Sequence, residues 1–201
     1  MTMEIKNIIF DFGGVLIDWN PRYLYRNVFR DEAEMEFFLK EICSPEWNLK
    51  QDAGRSFNDA TKELAAKFPQ YKNEIRNYYS NWLKMIGGAI EENVALIADL
   101  KDKYRLFGLT NWSAEAFPIV YNQYSFFKKF EGIIVSETEK IVKPDVRIYQ
   151  LLLARYGLIA NESLFIDDNL ENIIAADKLG FKTIHLNKNV NLKSELQKFV
   201  I

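Results

Sequence analysis

The chain has 201 residues, 48% hydrophobic and 27% charged, a balance typical of folded proteins of one or two domains and one that excludes intrinsic disorder. A formal net charge of -2 excludes a global electrostatic drive toward nucleic acid or an anionic membrane. With one cysteine, Cys43, and one histidine, His185, neither an intramolecular disulfide nor a Cys/His zinc site can be built; a metal here needs oxygen ligands, which favours magnesium.

The N-terminal stretch "MTMEIKNIIF" lacks the basic and long apolar regions of a secretory signal. No run of about 18 apolar residues occurs anywhere. The reading is a cytoplasmic protein with no membrane partner. The first predicted strand is "KNIIFDF" at 6–12, an apolar run that ends on Asp11 and passes into Gly13 and Gly14. A buried carboxylate at that position needs a cation or hydrogen bonds to offset its desolvation.

From Asp18 to about Gly88 the character changes to amphipathic helices rich in aromatic residues, with Pro21 suited to a first helical turn and Pro69 separating two helices. No strand is predicted within this segment, and Gly87 and Gly88 read as a return hinge. Four further buried strands follow: "YRLFGLT" at 104–110, "EGIIVS" at 131–136, "SLFIDD" at 163–168 and "FKTIHL" at 181–186. Helical stretches separate them, two of which stop at Gly157 and Gly180, as expected of βαβ units. The predicted fold is α/β, a Rossmann-like parallel sheet core at 1–18 and 89–201 with an inserted all-helical cap at 19–88.

In an open α/β sheet, ligands bind outside the carboxyl ends of the strands. Asp11, Thr110, Asn111, Ser136 and the pair Asp167–Asp168 fall there, with Lys143 in a following loop. Carboxylates without His or Cys make a magnesium site, and Lys143 with the Thr110 hydroxyl can hold phosphate oxygens. Backbone N–H groups of Phe12, Gly13 and Gly14 can add donors. Asp11 is then a candidate nucleophile, able to form an aspartyl-phosphate that water hydrolyses.

Asp11 on its strand, "LTN" at 109–111, "VKPD" at 142–145 and "FIDDNLENIIAADKLG" at 165–180 together resemble the haloacid dehalogenase superfamily, over nearly the whole chain and with the helical insert where C1 caps sit. Within it the sequence is similar to small phosphatases of sugar phosphates, the bacterial α-glucose-1-phosphate phosphatases among them. The resemblance implies Asp11 as nucleophile and metal ligand, the carbonyl of Gly13 as a second ligand, and Asp167 and Asp168 completing the shell around Mg²⁺. It implies Thr110 and Asn111 as phosphoryl-binding residues and Lys143 as the catalytic cation between nucleophile and phosphate. The implied partner is a small phosphorylated metabolite.

Gly13 departs from most phosphatases of that superfamily, which carry an aspartate there as general acid and base. Such help contributes about 10²–10⁴-fold in rate. Three expectations follow: a phosphatase that compensates, a 2-haloacid dehalogenase, or a catalytically weak binder of phosphorylated ligands. The pair Asp167–Asp168 favours the first, because stacked carboxylates imply a cation while a halide leaves without one. A receiver domain of two-component signalling shares the ingredients, but its acid pair follows the first strand rather than the fourth. In the cap, the segment 46–57 reads as a substrate-facing loop with Arg55 as the binding residue. Asp18 reads as a helix or turn cap, Asn172 as support for Asp168, and His185 as structural.

Overall fold

The computed structural model describes residues 4–199; the first three residues of the N-terminal stretch and the last two of the second core range lie outside the described residues. Its strands are β1 (Asn7–Phe10), β2 (Ile17–Trp19), β3 (Ile86–Ala89), β4 (Arg105–Thr110), β5 (Gly132–Val135), β6 (Ser163–Asp167) and β7 (Lys182–His185). Five of them form a parallel sheet in the order β5-β4-β1-β6-β7. The chain runs outward from β1 through β4 to β5, then returns to the other side of β1 for β6 and β7. Strand order therefore reverses at β1, and the crevice opens at its carboxyl end, between β4 and β6.

Alternation along the strands explains why these segments read as continuous apolar runs. Ile8, Phe10, Leu106, Leu164 and Ile166 pack on one face of the sheet, into the larger apolar cluster. Ile9, Phe107, Leu109, Ile134 and Phe165 pack on the other, with the helix Val146–Tyr156. Both faces are covered, as a parallel sheet requires. That helix stops at Gly157, whose φ of 63° suits glycine.

Between β2 and β3 every described regular element is helical, including Glu32–Phe37, Pro45–Asp52, Phe57–Lys67 and Lys72–Ser80. Ser44 and Ser56 cap the helices Pro45–Asp52 and Phe57–Lys67, and Pro69, where the sequence placed a break, opens a short 3₁₀ turn between Phe57–Lys67 and Lys72–Ser80. The ends of the segment correct the strand-free reading. β2 and β3 form an antiparallel pair, with Ile17 opposite Ala89 and Asp18 opposite Gly88. Gly87 and Gly88 are thus part of a strand as well as a return point. Glycine suits that strand because a Cβ on Gly87 would run into the Asp18 carboxylate, and Gly88 has a φ of +127°. Asp18 caps no helix; it accepts a hydrogen bond from the Tyr23 hydroxyl at 2.7 Å. Among the described residues, no helix is long and apolar enough to cross a membrane.

Candidate active site

Asp11 immediately follows β1, anchored by its own N–H to the Ile166 carbonyl (2.9 Å) and by its Oδ1, which accepts from Phe12 N (2.7 Å). Asp167 ends β6 on one side, and Thr110, buried, ends β4 on the other. Lys143 lies fully buried between the two acids, its Nζ 3.0 Å from Asp11 Oδ1 and 2.6 Å from Asp167 Oδ2. Asn111 clamps the Lys143 backbone reciprocally: its Nδ2 donates to the carbonyl (2.9 Å) and its Oδ1 accepts from the N–H (2.8 Å). One amide hydrogen of Asn111 is left for a ligand.

The carboxylates of Asp11, Asp167 and Asp168 each offer an oxygen within 4.8 Å of the others. They are not equivalent. Asp167 is fully buried and already receives Lys143 Nζ, Asn169 N (2.9 Å) and Asn172 Nδ2, the last within 3.1 Å of both oxygens. Its evident work is to hold Lys143, and Asn172 supports Asp167 rather than Asp168. Asp168 is exposed, and its backbone carbonyl faces His185 Nε2 at 3.0 Å, so the histidine on β7 steadies the cluster from outside. The Gly13 carbonyl accepts no backbone hydrogen bond among the described residues.

One ammonium against three carboxylates leaves the cluster electron-rich. Burial pushes Asp11 up to about 7, with Asp167 and Asp168 pushing the same way and Lys143 opposing them. Asp168 is raised as well: although the residue is exposed, neighbouring atoms desolvate its carboxyl, and Asp167 adds to the shift. An oxygen-only donor set short of positive charge fits a hard divalent cation, with Asp11, Asp168 and the Gly13 carbonyl the groups open to it.

Gly14 makes this packing possible. Its φ is +72°, and a Cβ there would collide with the Asp168 carboxylate. Gly14→Ala is expected to destabilise the fold by about 1–3 kcal/mol through backbone strain, read as a lower midpoint of urea unfolding. It should also weaken divalent-cation binding in calorimetry by displacing Asp168.

Gly13 and Asn111 border a cavity of about 120 Å³, lined with them by Ser113 from the sheet side and by Asn48, Asp52, Phe57, Tyr79 and Trp82 from the helical segment. Trp19, Trp112 and Ala116 complete its wall. The two halves are tied together: Ser136 Oγ donates to the Asp52 carbonyl (2.7 Å), and Phe57 N donates to Glu115 Oε1 (3.0 Å). Ser136 therefore joins the halves.

The structure does not bring Arg55 to the cluster. Residues 45–52 are helical rather than a loop, and Arg55 folds back on that helix, donating to Gln51 Oε1 (2.8 Å), Glu63 Oε2 (2.8 Å) and the Trp47 carbonyl (3.4 Å). Within the segment 46–57 the sequence pointed to Arg55 where the structure puts Asp52 in the cavity wall; Tyr79 and Trp82, which read as core packing, line the wall too, and Trp19 and Trp112 were not singled out. Trp112 directly follows the "LTN" motif and Trp19 directly follows Asp18, so adjacency to strand ends was the available signal.

The family model for haloacid dehalogenase-like hydrolases matches residues 8–186. A sesquiterpene phosphatase of Aspergillus oryzae is 26% identical, over 100% of this chain and 99% of that one. A D-ribitol-5-phosphate phosphatase of Bacteroides thetaiotaomicron is 22% identical, over 96% and 97%. A crystal structure of a Bacteroides thetaiotaomicron enzyme of the same family, in complex with magnesium and inorganic phosphate, superposes with a TM-score of 0.71 at 21% identity, covering 95% of this chain and 98% of that one. Five parallel strands with an acid cluster at the reversal of strand order, together with a family match across nearly the whole chain, make this protein a member of the haloacid dehalogenase-like hydrolases.

Proposed function

We propose that the protein is a magnesium-dependent phosphatase of a small phosphorylated metabolite, with the helical segment 19–88 acting as a cap over the α/β core. The observation that carries the reading is the buried Lys143 ammonium between Asp11 and Asp167, with Asp168 beside them. Asp11 attacks phosphorus as nucleophile, and the P–O bond to the leaving group breaks as the bond to Asp11 Oδ forms. Lys143 neutralises the nucleophile and the phosphoryl oxygens, held in place by Asp167 and by Asn111. Thr110, Asn111 and the Gly13 N–H are the groups assigned to the phosphoryl oxygens; the N–H groups of Phe12 and Gly14, which the sequence also offered, are taken by Asp11 Oδ1 and the Ile17 carbonyl. Water then attacks phosphorus and releases phosphate from Asp11. Mg²⁺, held by Asp11, Asp168 and the Gly13 carbonyl, would supply charge neutralisation for the transferring phosphoryl group.

The leaving group we propose is a compact polyol, as in a sugar phosphate. A cavity of about 120 Å³ suits a small group, its tryptophans supply apolar surface for C–H groups, and Asn48 and Ser113 carry hydrogen-bonding groups. A terpenoid phosphate is the second reading, favoured by the aromatic side chains of Trp19, Phe57, Tyr79, Trp82 and Trp112 in the wall. The buried, unpaired Cys43 fits work in a reducing cytoplasm.

The test is phosphate release across a panel of sugar, alditol and prenyl monophosphates, with magnesium and with a chelator. The expected result is turnover of at least one compact ester that the chelator stops and added magnesium restores. Halide release from a 2-haloacid without magnesium would establish the dehalogenase instead. Magnesium-dependent binding of esters with no turnover would establish a binding protein.

A further inference from the structure

Gly13 has no side chain to protonate a leaving group, and a Cβ built there meets nothing within 4 Å. The cavity at that point is open. Among its lining residues the sole carboxyl is Asp52, contributed by the last residue of the helix Pro45–Asp52. We propose that Asp52 is the general acid and base of the reaction, working from the helical segment in place of a side chain at position 13. The inference rests on the phosphatase reading above.

A relay of hydrogen bonds orients this carboxyl. Arg55 Nε donates to Gln51 Oε1 (2.8 Å), and Gln51 Nε2 donates to the Tyr79 hydroxyl (2.5 Å). That hydroxyl donates to Asn48 Oδ1 (3.0 Å), and Asn48 Nδ2 donates to Asp52 Oδ2 (3.2 Å). Every donor points the same way, from the Arg55 guanidinium to the Asp52 carboxyl, so the amides and the hydroxyl are fixed in one orientation. The Asp52 backbone is pinned as well, by Ser136 Oγ on its carbonyl. Oδ1 takes no protein donor among the described residues and is left for substrate. Arg55 thereby has a task without touching a ligand: it and Gln51, Tyr79 and Asn48 are positioning residues.

The surroundings suit a carboxyl that carries a proton. Burial pushes Asp52 up to about 7, with the charges of Glu137 and Asp11 adding to the shift. Its place at a helix C-terminus disfavours the anion further. Lys140 lies against Gly54 and pairs with Glu137 at 3.6 Å, and Lys143 is taken by Asp11 and Asp167. Glu137 accepts from Ser113 Oγ (2.9 Å) and from Ala114 N, so it is committed to the loop after β4. In the first step the Asp52 proton passes to the leaving oxygen as its bond to phosphorus breaks and the bond to Asp11 forms. In the second, the Asp52 carboxylate takes a proton from water as the water oxygen bonds phosphorus and the bond to Asp11 breaks.

The test compares esters that differ in need for protonation. Nitrophenolate leaves p-nitrophenyl phosphate as a stable anion, whereas an alkoxide must be protonated to leave. Asp52→Asn is expected to lower kcat/KM on an alkyl phosphate by about 10²–10⁴-fold and on p-nitrophenyl phosphate by less than about tenfold. Gly13→Asp in the Asp52→Asn background is expected to restore alkyl phosphate turnover, since the side chain has room. Tyr79→Phe, which breaks the relay and keeps the ring, should show the same leaving-group pattern at smaller size and serves if Asp52→Asn does not fold. Equal losses on both esters, or no loss on either, would overturn the proposal. Failure of the phosphatase reading shows separately, as wild-type protein that turns over neither ester.

Discussion

Asp11→Asn is expected to lower kcat/KM for any phosphate ester by about 10⁴-fold or more, the scale of losing a nucleophile. That corresponds to about 5 kcal/mol of transition-state stabilisation. The amide keeps the shape of the carboxylate and can still accept from Phe12 N, so the turn after β1 should survive. Lys143 would retain its 2.6 Å partner Asp167. Removing one of three crowded carboxylates also relieves repulsion in the metal-free protein. The variant should therefore melt at the same temperature as the wild type or higher while losing activity. A variant that unfolds would show Asp11 to be structural, and one that keeps full activity would remove it from the reaction.

Lys143→Met carries the largest expected effect on stability. It leaves Asp11 and Asp167 buried together without the cation that joins them. Breaking a buried pair in this way costs about 3–5 kcal/mol, a large share of the 5–15 kcal/mol typical of a domain. Burial already raises Asp11 and Lys143 opposes that rise, so without the ammonium Asp11 goes further above its unfolded range and the native state binds more protons than the unfolded chain. The deficit should then grow as pH rises above about 4 and fade below it. Urea unfolding of the metal-free protein across that range checks the sign. Asp167→Asn added to Lys143→Met should recover part of the stability and none of the activity, because it removes a repelling charge and restores no cation.

The five parallel strands were legible because burial on both faces writes itself as unbroken apolar runs such as Ile8–Phe10 and Leu164–Ile166. The acid cluster was legible because strand ends converge, so Asp11, Asp167 and Asp168 could be placed together from chain order alone. β2 and β3 were not. The residues of β3, Ile86–Ala89, include two glycines, and they become a strand only because Ile17–Trp19 lies opposite. Arg55 was misjudged for a related reason. A glycine two residues after Asp52 suggested a loop, whereas the helix runs to Asp52 and turns the guanidinium back along itself. Asp52 could not be singled out, since its orientation depends on Tyr79, 27 positions further along the chain.

The antiparallel pair of β2 and β3 has a consequence for heredity. Residue 18 sits opposite residue 88, so the chain departs for the helices and comes home at neighbouring points, about 5 Å apart as in any such ladder. A segment whose ends are neighbours can be exchanged like a cassette without disturbing the sheet beneath. Where the acid is rooted in the sheet, at position 13, such an exchange alters only what is admitted. In this chain Asp52 travels with the cassette. A descendant that acquired another insert would change its diet and lose its proton donor in one event, unless Gly13 had first become an acid.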